Sequence, residues 1–206
     1  MQEAQSTTAQ TPTAPSATPA SAFEGLGAGN YEVNYTIRLK LCAGSVCFQM
    51  AGWAIYGEGP PGNYTYGVLT GRLPSIGDVV WEMWGAAEGN ESYGLTRMCA
   101  GDLCTNETFL PVATRVAFEK PMGACDAIVN STKLKGILSV RTHEAEFLDV
   151  HNGRANETSC FFNGIPLWSS IVITERERSA YIFIEAVWLR PFDEARFREI
   201  LQVIKK

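Results

Sequence analysis

The residues of this chain with the widest chemical repertoire are its six cysteines: Cys42, Cys47, Cys99, Cys104, Cys125 and Cys160. Thiols can hold a metal, attack an electrophile or close on one another. Two pairs share a frame, Cys42-Ala-Gly-Ser-Val-Cys47 and Cys99-Ala-Gly-Asp-Leu-Cys104. A short loop with a glycine lets two antiparallel strands set such cysteines opposite one another. Paired zinc ligands usually stand two to four residues apart, so these gaps sit at the edge of metal chemistry. A nucleophilic thiol needs a neighbouring base or cation, and the chain has only His143 and His151. Six cysteines can pair in many ways, but if both local loops close, Cys125 and Cys160 are left for each other. Three disulfides are therefore expected, Cys42 to Cys47, Cys99 to Cys104 and Cys125 to Cys160. On the chain-entropy model the two short loops contribute about 2 kcal/mol each and the long one about 4 kcal/mol.

Asparagine supplies the second pattern. Of nine asparagines, six open Asn-X-Ser/Thr triplets: Asn34, Asn63, Asn90, Asn106, Asn130 and Asn156. Chance would give roughly one. That excess reads as a chain exposed to N-glycosylation, with each used site on a solvated surface. Oxidised cysteines and glycosylation place the protein in an extracellular or cell-surface compartment, and the export signal or anchor is expected outside this chain.

Acid–base chemistry has thin support. His143, Glu144 and Glu146 fall in one stretch, but on a strand His143 points away from both glutamates. Asp149 and His151 share a strand face beside an expected turn, where polar residues need no special purpose. No phosphate loop, dinucleotide fingerprint, nucleophile elbow or metal-protease helix is present, so no catalytic residue, metal ligand or cofactor is assigned. The net charge of -5 opposes a nucleic-acid partner. No run of eighteen apolar residues provides a transmembrane helix.

The elements that must position these residues are mostly strands. Residues 1–22 are almost entirely Ala, Thr, Pro, Ser and Gln and read as an extended tether, leaving 23–206 as a single β-rich domain. From Tyr31 to Leu41, apolar residues alternate with Glu32, Asn34, Thr36, Arg38 and Lys40, a strand with its polar face to solvent. A hairpin closed by Cys42 and Cys47 puts Phe48, Met50, Ala54 and Tyr56 on the core face. Trp53 and Ile55 then lie outside, which requires a bulge at Gly52 or a covering layer or glycan. Strands are expected at 64–73, 78–86, 92–99 and 112–118, and at 137–150 and 157–162 around an Asn152-Gly153 turn. Residues 168–174 and 180–189 form the last hairpin. Residues 121–132 are ambiguous, with room for a short helix. After Pro191, the spacing of Phe197, Ile200, Leu201 and Ile204 predicts a terminal helix. The fold class is mainly β: a curved antiparallel sheet or incomplete barrel of about nine strands, disulfide-stapled, with a C-terminal helix.

This order of elements, with the crossing at Cys160-Phe161-Phe162-Asn163-Gly164-Ile165-Pro166, resembles extracytoplasmic lipoprotein-carrier proteins, whose incompletely closed β-barrel is covered by helices. Where those proteins carry a long N-terminal helix, this chain has its Pro-rich segment. The resemblance implies an apolar cavity for acyl chains and transfers no individual residue. The expected function is a non-enzymatic, surface-tethered binding module for lipid or another apolar ligand. The alternative is a glycosylated structural or adhesive cell-surface subunit, with a secreted enzyme third. Ala51, Gly52 and Ala54 could leave space for such a ligand or merely let strands pack closely. Trp53, Trp81, Trp84, Trp168 and Trp188 should line a concavity in a carrier and fill a dry core otherwise.

Overall fold

The computed structural model describes residues 23–73, 76–109, 115–147 and 150–206, without the side chains of 109, 115–119, 145–147 and 150–152. The expected tether at 1–22 lies outside the described residues. Alternating polarity produces eleven strands: β1 (Tyr31–Ala43), β2 (Val46–Gly59), β3 (Gly62–Leu73), β4 (Gly77–Glu88), β5 (Glu91–Ala100), β6 (Leu103–Phe109), β7 (Arg115–Val129), β8 (Thr132–Phe147), β9 (Val150–Phe162), β10 (Ile165–Glu175) and β11 (Arg178–Arg190). One helix follows among the described residues, α1 (Glu194–Ile204). The strands make a single antiparallel sheet in the order β6-β5-β4-β3-β2-β1-β11-β10-β9-β8-β7. Every neighbouring pair is a hairpin between consecutive strands except the central pair β1 and β11.

The register of β1 on β2 is unbroken, from Tyr31 opposite Glu58 to Ala43 opposite Val46. Gly52 therefore marks no bulge in that pair, and Trp53 and Ile55 do share the outer face with Thr36 and Asn34. What Gly52 provides is proximity: a Cβ built on it would lie 1.9 Å from the Val68 carbonyl oxygen. Gly52 thus serves close strand approach rather than empty space.

Two further expectations are corrected. Asn152 and Gly153 lie inside β9, with Gly153 opposite Ala145 and Arg154 opposite Glu144, so they pair as strand and make no turn. Residues 121–129 belong to β7 and not to a helix; Pro121 is accommodated where the pairing with β8 slips between Pro121 and Gly123.

The core face carries Val33, Tyr35, Leu39 and Leu41 of β1. These join Met50, Leu69 and Val79 on one side and Leu167, Ile173, Ala180 and Leu189 on the other. The helix packs on the opposite face, over Tyr64 and Ala86. With no second layer on the core face among the described residues, Leu39 at 4% and Leu69 at 3% exposure can be so buried only if the sheet rolls over them. Chain length agrees. A flat sheet of this size would separate its edge strands by about 48 Å, whereas Phe109 and Arg115 are six residues apart and at most about 22 Å from each other.

On the C-terminal side the roll is tighter. Asp126 of β7 accepts a hydrogen bond from the Trp168 indole of β10. The β7–β8 turn reaches β11, where the Asn130 N–H donates to the Val187 carbonyl at 3.1 Å. Phe23 and Leu26 cap this end of the core.

Candidate functional site

All six cysteines are oxidised in the expected pairs. Cys42 lies directly opposite Cys47, and Cys99 opposite Cys104, at Cα separations of 4.1 Å. Cys125 and Cys160 bridge β7 and β9 across β8, over Gly136, where any Cβ would come within 2.8 Å of the Cys160 sulfur. No thiolate remains for zinc or nucleophilic attack. Among the described residues no three His, Cys, Asp or Glu side chains are grouped to hold a metal.

His143 stands opposite Ala155 with its Nδ1 buried and unpartnered, while Glu144 projects from the other face opposite Arg154. His143 and Glu144 are thus divided by the sheet, as strand alternation leads one to expect. Asp149 and the side chains of Glu146 and His151 lie outside the described residues.

The six triplet asparagines occupy different settings. Asn90, Asn106, Asn130 and Asn156 are exposed, while Asn34 and Asn63 are half-buried. Asn34 sits between Ile55 and Trp188 on the outer face with its Oδ1 buried and unpaired. The Asn156 Oδ1 accepts from Thr142 at 3.2 Å.

The five tryptophans do not converge. Trp53, 37% exposed, meets Tyr66 edge-on at 5.2 Å, and Tyr66 stacks on Trp84 at 5.6 Å. Trp81 packs on the core face, Trp168 on the Leu167 cluster, and Trp188 under the Arg190 guanidinium at 4.9 Å.

Two sites remain that sequence patterns did not reveal. The first is a buried charge. Glu32, expected on the wet face, is fully buried: α1 returns over that face and brings two cations with it. One Glu32 carboxylate oxygen accepts from the Arg190 Nε at 2.8 Å and the Arg196 Nη1 at 2.6 Å, and the other accepts from the Tyr64 hydroxyl. Arg190 also pairs with Asp193, the residue that caps α1 by accepting from the Arg196 N–H. Burial, and then the hydrogen bond to Glu32, raise the Tyr64 phenol far above its ordinary value. Nearby, Glu58 accepts from both Tyr31 and Tyr56. The signal for this cluster lay in the two arginines flanking the turn between the last strand and the helix.

The second is an open groove of about 470 Å³ across the middle of the sheet, on the face away from the core. Thr70, Ala51, Arg38, Phe183 and Ser170 stand opposite one another in a single cross-strand row, with Lys40 and Tyr181 in the next. The Arg38 guanidinium lies 5.0 Å from the Phe183 ring centre and the Lys40 ammonium 5.8 Å from that of Tyr181. Arg38 also reaches Glu185 at 4.0 Å, whereas among the described residues no carboxylate pairs with Lys40. Small side chains flank an aromatic and cationic wall.

No family model matches the chain. No curated protein matches it either. Among solved structures it is similar to a domain from Vibrio parahaemolyticus provisionally named an outer membrane lipoprotein-sorting protein. The identity is 10%, the TM-score 0.37, and the match covers 86% of this chain and 92% of that one. It is also similar to a DUF1329 family protein from Desulfovibrio piger, at 9% identity and TM-score 0.34, over 81% of this chain and 89% of that one. These TM-scores are too low to equate the folds. Among the described residues no helix is long and apolar enough to cross a membrane.

Proposed function

We propose that the chain is an extracytoplasmic, non-enzymatic binding module for an amphiphile with an apolar stem and an anionic head. The observation that carries this reading is the groove over β3, β2, β1, β11 and β10. Ala51, Thr70 and Ser170 leave room for a hydrocarbon stem beside Phe183, and Lys40 offers the head a cation that no carboxylate among the described residues neutralises. Apolar area enclosed there contributes about 25 cal/mol per Å², before the costs of association. Three closed disulfides support an oxidising compartment. In this reading triplet asparagines on the solvated surface, such as Asn90, Asn106 and Asn156, carry sugar and residues 1–22 are the tether.

Titration with a fluorescent fatty acyl probe tests the groove. Ala51→Trp, which fills it, and Lys40→Glu, which reverses its charge, should each weaken binding at least tenfold while leaving thermal unfolding unchanged. Absence of probe binding by the wild-type protein, or binding by both variants as tight as wild type, would eliminate the amphiphile.

A second reading, a glycosylated structural subunit of the cell surface, is favoured by the close strand approach at Gly52 and by the scattered tryptophans. Native mass spectrometry of protein purified from its own membranes separates the two. Retained lipid supports the first reading, and a lipid-free assembly supports the second.

A further inference from the structure

Asn130 opens one of the six triplets, yet its amide is already engaged. β10 pairs with β11 only as far as Trp168 opposite Glu185, so beyond that point one edge of β11 has no strand beside it. Leu189 lies on this edge and is 2% exposed, so its backbone groups cannot turn to water. The Asn130 side chain takes the missing strand's part. Its Nδ2 donates to the Leu189 carbonyl at 2.8 Å, and its Oδ1 accepts from the Leu189 N–H at 3.1 Å. Asn130 and Ser131 both have positive φ, 50° and 60°, in the two-residue turn that brings the amide there.

The geometry of this amide limits what its nitrogen can carry. To meet the N–H and C=O of one residue together, the amide must use its oxygen and the hydrogen on the same side as that oxygen. A sugar joined to Nδ2 makes a secondary amide, which prefers its substituent trans to Cβ, on that same side. Sugar and Leu189 would then claim one position. The alternative places the sugar cis to Cβ, the disfavoured form of a secondary amide.

We infer that N-linked sugar at Asn130 and docking of the β7–β8 hairpin on β11 are mutually exclusive, so that in the folded domain Asn130 is a closure residue and carries no glycan. None of the other five triplet asparagines has its amide nitrogen committed to a backbone partner among the described residues. The occupancy part of this inference rests on the proposal that the chain is a glycoprotein; the closure part does not.

The test has two arms. The chain is secreted from a glycosylating eukaryotic host, the folded fraction is deglycosylated in heavy-oxygen water, and labelled aspartates are mapped by peptide. Label at Asn90, Asn106 and Asn156 with none at Asn130 is expected. Label at Asn130 in protein whose Cys125 to Cys160 bridge is intact would overturn the inference. In the second arm, amide hydrogen exchange is followed at Leu189. Asn130→Gly keeps the turn and removes the pairing, and should speed exchange at least tenfold. Thr132→Ala removes the triplet, keeps the amide and should leave exchange unchanged. Equal protection of Leu189 in Asn130→Gly and wild type would overturn closure. Sugar at no triplet would remove the glycoprotein proposal alone, the exchange arm then deciding the inference.

Discussion

Glu32 shows how far alternation can be trusted. Its position on the face away from the core follows from period two, and the structure agrees; the error was to equate that face with water. A helix about 160 residues away in sequence lies over it, and Arg190 and Arg196 supply the charges that let a carboxylate be buried. Glu32→Ala leaves two guanidiniums without their shared partner and should destabilise the domain by about 3 kcal/mol, read from urea unfolding. If the loss matched that of an exposed surface glutamate, the cluster would have no structural role. Four tyrosines make a related prediction. Burial is the largest cause of the upward shift in each: Tyr31, Tyr35 and Tyr64 move far above the ordinary value, and Tyr56 is pushed up to about 12. Below the unfolded value of 10.0 both states keep their protons and these groups add no pH dependence. Between 10.0 and about 12 the unfolded chain releases protons that folded Tyr56 retains, so stability falls as pH rises. Urea midpoints should hold steady to about pH 9.5 and then decline, less steeply in Tyr56→Phe.

At the scale of elements, hairpins and helix were legible because their periods are local. The two Cys-Ala-Gly loops, Gly59-Pro60-Pro61-Gly62 and the amphipathic helix after Pro191 all form where sequence places them. Asn152-Gly153 misled for a physical reason: cross-strand neighbours Glu144 and Ala145 hold these residues extended, and tertiary pairing overrides a turn preference. Pro121 hid the second half of β7, whose start overlaps the strand expected at 112–118, because a strand that tolerates proline must slip its register there, which sequence does not announce. The groove was illegible for a related cause, since its row is drawn from five strands that meet only in the sheet. Disulfides at this scale differ in worth. Replacing Cys125 and Cys160 by alanine should cost about 4 kcal/mol, against about 2 kcal/mol for either local pair. Comparable losses for all three would refute the loop-length account. Gly136→Ala, placed against the Cys160 sulfur and 2.6 Å from the Phe161 carbonyl oxygen, should destabilise by about 1–3 kcal/mol even with all three bonds intact. An unchanged melting temperature would show that β8 can shift to admit the methyl group.

For the molecule as a whole, the decisive contact is the seam between β1 and β11, which joins residues such as Thr36 and Glu185. Neither half can bury the core face without the other: Leu39 touches both the Met50 side and the Ala180 side. A fragment ending at Phe109 should therefore be insoluble or unfolded, judged by circular dichroism and sedimentation. A soluble, cooperatively melting fragment would show that β1–β6 is an independent domain.

The same seam sets a clock for biosynthesis. Of the eleven described strands, β1 leaves the ribosome first and β11 last, with about 150 residues between their partners. At translation rates of roughly 5–20 residues per second, one flank of the earliest strand stays unpaired for on the order of ten seconds or more. Throughout that interval the nascent chain presents an open edge bordered by Val33, Tyr35 and Leu39, a ready template for another copy emerging from the same polysome. Slow codons after β6 would lengthen the exposure, and a holding chaperone on that edge would shield it.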